Sequence, residues 1–186
     1  YSRYGNPTVT MFEERMALIE ETEACFATAS GMAAVFTSLM SFLKSGDEVV
    51  ASRALFGSCY HILHQILPRY GIITHLINGT DLSEWEKHIT NKTKCIFLES
   101  PSNPTMEIID IKTVSKIAHQ FNVLVIVDNI FASPVLQKPI DLGADIVVYS
   151  GTKHIDGQGR SIGGAILSSK KHYEEHIKPF MRHTGP

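Results

Sequence analysis

The sequence has no long apolar run, no excess of one charge and no even set of cysteines, and each absence closes off a class of protein. Uninterrupted apolar segments such as Val123 to Val127 stop far short of the ~20 residues that a membrane-spanning helix needs. No membrane partner is expected. Lys and Arg total 17 against 19 Asp and Glu, a formal net charge of −2. The basic residues are scattered, so nothing in the charge pattern favours nucleic acid. Cys25, Cys59 and Cys95 lie far apart in apolar surroundings. They read as buried thiols of a reducing, cytoplasmic compartment rather than as a disulfide or a metal site. Repeats, low-complexity tracts and linkers are lacking too. What is there is the composition of one ordinary soluble domain: 186 residues, 44% hydrophobic and 19% charged, enough to bury a sizeable core. The chain begins at Tyr1 rather than Met and stops at Thr184-Gly185-Pro186, after a run patterned like a domain interior. A fragment of a longer protein is expected.

Two hydrophobic periods alternate along the chain. Met32, Val35, Phe36, Leu39, Met40 and Leu43 follow the spacing of one helix face, which Gly46 would terminate in the left-handed conformation. Tyr60, Leu63, Leu67 and Tyr70 predict a second helix. Asp81 with Glu84 predicts a capping box opening a third through Leu82, Trp85 and Ile89. Ile111, Val114, Ala118 and Phe121 predict a fourth. Between them lie strand-like runs at Cys25 to Thr28, Val49 to Ala51, Ile72 to Ile77, Cys95 to Leu98, Val123 to Val127, Ile146 to Tyr149 and Gly164 to Leu167. The Val123 to Val127 run has the β-branched character of a strand covered on both faces. This alternation predicts an α/β fold with a mostly parallel sheet covered by helices.

Ligands in open α/β sheets bind beyond the carboxyl ends of the strands, so the residues that end each run matter most. Cys95 to Leu98 ends in Glu99-Ser100-Pro101-Ser102-Asn103-Pro104, Val123 to Val127 in Asp128-Asn129, and Ile146 to Tyr149 in Ser150-Gly151-Thr152-Lys153-His154. An amide, a carboxylate and an amine flanked by hydroxyls are thereby offered at three strand ends. Ser30-Gly31-Met32 opens the first long helix, whose free N–H groups and dipole suit an anion such as phosphate. Each piece alone is ordinary: Lys153 is a surface lysine, Asp128 a cap and Asn103-Pro104 a turn. Together they are what pyridoxal phosphate requires, namely an amine, a carboxylate for the ring nitrogen and a phosphate cradle.

On these residues the chain resembles the Cys/Met-metabolism family of pyridoxal-phosphate enzymes. Tyr1 to Thr8, Ser30 to Ala34, Glu99 to Pro104, Val127 to Asn129 and Ser150 to His154 match its motifs in order. The resemblance implies an aminotransferase-like, fold-type-I large domain spanning residues 1–186, partial because the family's N-terminal arm and C-terminal domain lie outside it. It implies that Lys153 forms the Schiff base with pyridoxal 5'-phosphate and moves protons, and that Asp128 pairs with the ring nitrogen. Asn103 would lie near the phenolic oxygen. Gly31, Met32, Ser150 and Thr152 would hold the phosphate, with Tyr1 and Arg3 reaching the phosphate of a neighbouring subunit in a homodimer or homotetramer. Phe56 stands where many members place a tyrosine over the ring, so stacking is kept and a phenolic hydroxyl is lost.

After the lysine, His154-Ile155-Asp156-Gly157-Gln158-Gly159-Arg160 resembles the branch of the family that acts on O-succinylhomoserine with sulfide. That implies a γ-replacement yielding homocysteine, in methionine biosynthesis. The alternatives are a methionine or cystathionine lyase or a cystathionine synthase, which share these residues, and a catalytically incomplete fragment. Gly157-Gln158-Gly159 does not link a strand to a helix start and is no dinucleotide loop. His61 and His64 read as a solvated helix face, and no metal is expected.

Overall fold

Four of the five residues from Val123 to Val127 are branched at Cβ, which crowds a helix and suits a pleated strand. In the computed structural model, which describes residues 2–185, this run forms β5 (Leu124–Asp128) at the centre of a seven-stranded sheet. The other strands are β1 (Ala24–Thr28), β2 (Glu48–Ser52), β3 (Ile73–Ile77), β4 (Thr93–Glu99), β6 (Ile146–Ser150) and β7 (Gly164–Ser168), in the spatial order β1-β7-β6-β5-β4-β2-β3. From β3 to β6 all pairings are parallel. β7 runs antiparallel to both its neighbours, β6 and β1, a direction that periodicity does not encode.

The sheet is covered on both faces, as its strand composition requires. Phe97, Ile126, Val148 and Ile166 pack with Ala34 and Leu39 of α2 (Gly31–Met40), with Leu63 beyond α3 (Gly57–His61), and with Met181 near the chain end. The alternate residues Ile96, Leu98, Val125 and Val127 pack on the opposite face. There they meet Met16 of α1 (Pro7–Glu20), Trp85 of α4 (Leu82–His88), and Val114 and Ala118 of α5 (Ile111–Gln120). Each aliphatic chain so buried contributes about 1.5–3 kcal/mol relative to exposure. Trp85 also satisfies its one donor, with Nε1–H reaching the Gly79 carbonyl at 3.0 Å. Short helices α6 (Ser133–Leu136), α7 (Lys170–His172) and α8 (Lys178–Thr184) complete the described residues.

Three local expectations need correction. Regular helix α2 ends at Met40, although i to i−4 bonding continues as far as the Leu43 N–H to Leu39 carbonyl bond. The Asp47 carboxylate then takes the Lys44 N–H at 2.9 Å and turns the chain. Gly46 (φ 91°) belongs to that turn, bonded to Gly71, rather than to a helix cap. The helix over Tyr60 to Tyr70 is present but not uniform. It widens at Ile62–Ile66 and tightens at Leu67–Tyr70, where Pro68 removes a donor from the ladder. Only half of the capping box forms. Asp81 Oδ1 accepts the Ser83 N–H, whereas the Asp81 N–H is taken by Asn78 and the Glu84 carboxylate pairs with Lys87.

Candidate active site

The parallel strands deliver their carboxyl ends to one edge, and the reversal of β7 brings two more chain segments there. Gly164 is in register with Ser150 on one side and Thr28 on the other. A Cβ at Gly164 would lie 2.3 Å from the Ser30 carbonyl oxygen and 2.5 Å from Thr28 Oγ1. Glycine alone lets the β1–α2 connection pass. The N-terminus of α2 therefore sits against the end of β6, so closely that a Cβ on Gly31 would be 2.6 Å from Ser150 Cβ. Ser30 caps the helix, its Oγ accepting the Ala33 N–H at 3.0 Å. The N–H groups of Gly31 and Met32, in the first turn, have no intrahelical acceptor and face outward with the positive end of the dipole.

Asp128 and Glu99 end β5 and β4 as a register pair. Asp128 is buried and takes hydrogen bonds from two neutral partners, the Ile130 N–H at 3.1 Å and the Cys59 thiol at 3.8 Å. Burial pushes its pKa up to about 6 against the favourable Ile130 and Cys59 bonds. Glu99, 1% exposed, accepts the Phe56 N–H on Oε2 at 2.8 Å, while its Oε1 has no hydrogen-bond partner. Burial first, and the neighbouring Asp128 charge second, raise Glu99 to about 7. The Cys59 thiol is pushed up by burial and by the two carboxylates, so it stays protonated and donates.

Beyond Ser150 the chain enters a wide turn, Gly151–Ile155, in which Lys153 departs from helical backbone angles (φ −95°, ψ −112°). Two bonds to Gly163 hold this turn against the start of β7, the Gly151 N–H to its carbonyl at 2.8 Å and its own N–H to Thr152 Oγ1 at 3.2 Å. The next loop is gathered by the Asp156 carboxylate, which accepts the Arg160 N–H at 2.7 Å and the Ser161 hydroxyl at 3.1 Å. Those bonds hold its pKa below the usual range. Behind the sheet end, Tyr149 donates its O–H to Glu20 Oε2 and accepts from Asn129 Nδ2. Gln137 Nε2 ties Asn129 to the Ser100 carbonyl. This network fixes the loop that leaves Asp128.

A cavity of about 580 Å³ opens at this edge. Gly31, Met32, Phe56, Asn103, Asp128, Ser150, Thr152 and Lys153, drawn from five separate stretches of sequence, all line it. Arg3 does not. The segment carrying it lies by α8, where the Arg3 guanidinium stacks on Tyr4 at 5.2 Å and Arg182 bonds the Tyr4 carbonyl. Tyr1 lies outside the described residues. The sequence reading missed Glu99, Cys59 and His154 as lining residues. The strand-end rule could have found Glu99, since it occupies on β4 the position that Asp128 occupies on β5; nothing local marks Cys59, which reaches the cavity through α3. His61 and His64 are exposed. No group of three or more metal-ligating side chains occurs among the described residues, and none of their helices is long and apolar enough to cross a membrane.

The Cys/Met metabolism PLP-dependent enzyme family matches residues 1–186. The chain is 55% identical over 186 residues to the O-succinylhomoserine sulfhydrylase of Mycobacterium tuberculosis, covering 100% of this chain and 46% of that protein. It is 44% identical over 172 residues to the L-methionine gamma-lyase of Fusobacterium nucleatum subsp. polymorphum, covering 92% and 44% respectively. The crystal structure of cystathionine gamma-lyase from Lactobacillus plantarum complexed with L-serine superposes with a TM-score of 0.95 at 37% identity, over 100% of this chain and 48% of that one. The chain thus spans about half the length of the curated relatives it matches.

Proposed function

Because this chain belongs to the Cys/Met metabolism family of PLP-dependent enzymes, we propose that residues 1–186 are the larger part of a cofactor-binding large domain working in sulfur amino-acid metabolism. One observation carries the reading. An amine (Lys153), a buried carboxyl (Asp128) and the first-turn N–H groups of a helix start (Gly31, Met32) converge on a single cavity of suitable size.

The residues present fit pyridoxal phosphate. Asp128 is a buried acid whose present partners are both neutral, and a protonated ring nitrogen beside it would restore its charge. The missing Cβ at Gly31 leaves backbone N–H groups accessible to a phosphate next to the Ser150 hydroxyl. Thr152 flanks the same place with its hydroxyl engaged by Gly163. Phe56, 43% exposed at the cavity wall, offers a ring face for stacking, and Asn103 offers an amide for the phenolic oxygen.

When bound, the cofactor supplies an electron-withdrawing ring and an aldehyde for amine exchange. Lys153 Nζ is the amine that would hold the cofactor by its aldehyde and would carry protons to and from the substrate Cα and Cβ. Asp128 would keep the proton on the ring nitrogen. The α2 terminus with Ser150 would hold the phosphate end. We assign the reaction as replacement of the γ-succinyloxy group of O-succinylhomoserine by sulfide, giving homocysteine. The 55% identity to a sulfhydrylase of that name and the His154-Ile155-Asp156-Gly157-Gln158-Gly159-Arg160 segment favour it. A second reading, elimination by a lyase, draws on the 44% identity to a methionine gamma-lyase. In this proposal the working unit is a cytoplasmic homodimer or homotetramer, with Arg3 and Tyr1 serving a neighbouring subunit and the remaining polypeptide completing the substrate site.

The test is borohydride reduction of the cofactor-loaded full-length protein followed by peptide mapping. The cofactor mass should fall on the Lys153 peptide; labelling of Lys138 or Lys170 instead would remove the core of the proposal. With O-succinylhomoserine and sulfide, homocysteine should form faster than 2-oxobutanoate. The reverse ratio would favour the lyase.

A further inference from the structure

Phe56 is the one aromatic side chain proposed to cover the cofactor ring, yet little packing holds it. Its side chain is 43% exposed. It precedes α3 as its N-cap and makes no side-chain cap bond there. Ala54 and Leu55 are buried and anchor the chain on one side, up to the Leu55–Phe56 peptide. What fixes that peptide is the bond from the Phe56 N–H to Glu99 Oε2, at 2.8 Å. The Phe56 carbonyl, in the next peptide, accepts the Tyr60 N–H at 3.0 Å.

Glu99 is well placed for this task. It ends β4 beside Asp128, is 1% exposed, and lines the same cavity. Burial and the neighbouring Asp128 push its pKa up to about 7, which favours the neutral acid. Asn103, whose backbone favours the charged form of Glu99, lies four residues on. One buried carboxyl therefore touches the loop carrying the stacking ring and neighbours the loop carrying the Asn103 amide. We infer that Glu99 is a positioning residue of the cofactor site, whose Oε2 accepts the Phe56 N–H and so sets the Phe56 ring over the pyridine. This rests on the cofactor reading above.

The experiment compares pyridoxal phosphate affinity and the induced circular dichroism of its visible band across variants of the full-length protein. Glu99→Gln keeps an acceptor oxygen and should bind within about twofold of wild type. Glu99→Leu removes the acceptor of the Phe56 N–H and should weaken binding about tenfold or more, with loss of the induced band. Glu99→Asp, whose carboxylate is retracted by one methylene, should show the same direction of change, and serves where the leucine variant does not fold. In a Phe56→Ala background the Glu99→Leu or Glu99→Asp loss should shrink to under about twofold, because the two residues act through one contact. A purely structural role for Glu99 predicts additive losses. Additivity, a Glu99→Gln defect equal to Glu99→Leu, or wild-type affinity in both Glu99→Leu and Glu99→Asp would overturn the inference while leaving the cofactor reading intact. Failure of the wild type to bind pyridoxal phosphate would overturn both.

Discussion

Replacing Glu20 by Gln should stabilise the domain at alkaline pH and leave it nearly unchanged in mild acid. Glu20, at the end of α1, is fully buried. Its Oε2 accepts the Tyr149 hydroxyl and its Oε1 has no partner. Burial raises its pKa from 4.5 to about 7, against the opposing pull of the Tyr149 bond and Lys138. An acid whose folded pKa lies above its unfolded one favours folding below the unfolded value, and that contribution is lost as pH rises through the folded one. For Glu20 the loss runs from about pH 4.5 to pH 7. Its full size is about 3 kcal/mol, at 1.36 kcal/mol for each tenfold change in proton affinity. Glutamine is neutral throughout and still offers an oxygen to Tyr149. Urea unfolding of this chain can be followed by the emission of Trp85, its single tryptophan, which is fully buried. Glu20→Gln should match wild type within about 1 kcal/mol at pH 5 and exceed it by about 2–3 kcal/mol at pH 8. Other titrating groups, Asp128 and Glu99 among them, cancel in the difference. A change of equal size at both pH values would refute the reasoning, since a lost contact or altered packing has no reason to follow the Glu20 titration.

Asp128→Ala should cost the full-length enzyme several orders of magnitude in turnover while the protein still folds, since the ring nitrogen would no longer be kept protonated; steady-state kinetics beside a melting curve separates the two, and near-normal turnover would show the residue to be a structural cap. Gly31→Ala should lose about 1–3 kcal/mol of stability by forcing Cβ into Ser150 and should weaken pyridoxal phosphate binding in titrations; an unaffected variant would mean that the α2 terminus does not hold the phosphate. Arg3→Ala and Lys153→Ala full-length variants, each nearly inactive, should regain part of the activity when mixed under subunit exchange, because one site of a mixed dimer has both residues intact; no recovery after confirmed exchange would refute the shared site.

The α/β class and the strand-end residues were legible because both follow from local chemistry. A run such as Val123 to Val127 can be little other than a buried strand, and the residue that ends it must emerge at the sheet edge. Lys153, Asp128 and Ser150 were singled out in this way, and the structure brings all three to one cavity. What escaped was set by long-range geometry. The antiparallel sense of β7 depends on which neighbour it meets, and no periodicity records that. Cys59 looked like any buried thiol because its contact with Asp128 joins residues far apart in sequence. Gly46 satisfied the pattern of a helix terminator, but Asp47 had already captured the Lys44 N–H. The half-formed capping box has a similar origin, since Asn78 and Lys87 compete for the groups that a reciprocal box would use.

The place of β7 between β1 and β6 also dictates an order of events during synthesis. β1 emerges from the ribosome early, yet Ala24 pairs with Ser168 and Thr28 with Gly164. At about 5–20 residues per second, β1 waits roughly 7–30 seconds for β7, its sheet partner among the described residues, and closing so large a loop adds an entropic delay. Throughout that interval the strand and the underside of α1 remain exposed to proteases and chaperones. Ribosome-stalled chains that end before Gly164 should be cut readily between α1 and β1, whereas chains extended past Ser168 and clear of the exit tunnel should resist. Equal resistance would show that β1 docks without β7. A cradle that needs β7 in place also cannot capture a phosphate while that strand is still being made, so cofactor loading would follow the pairing of β7 rather than guide it.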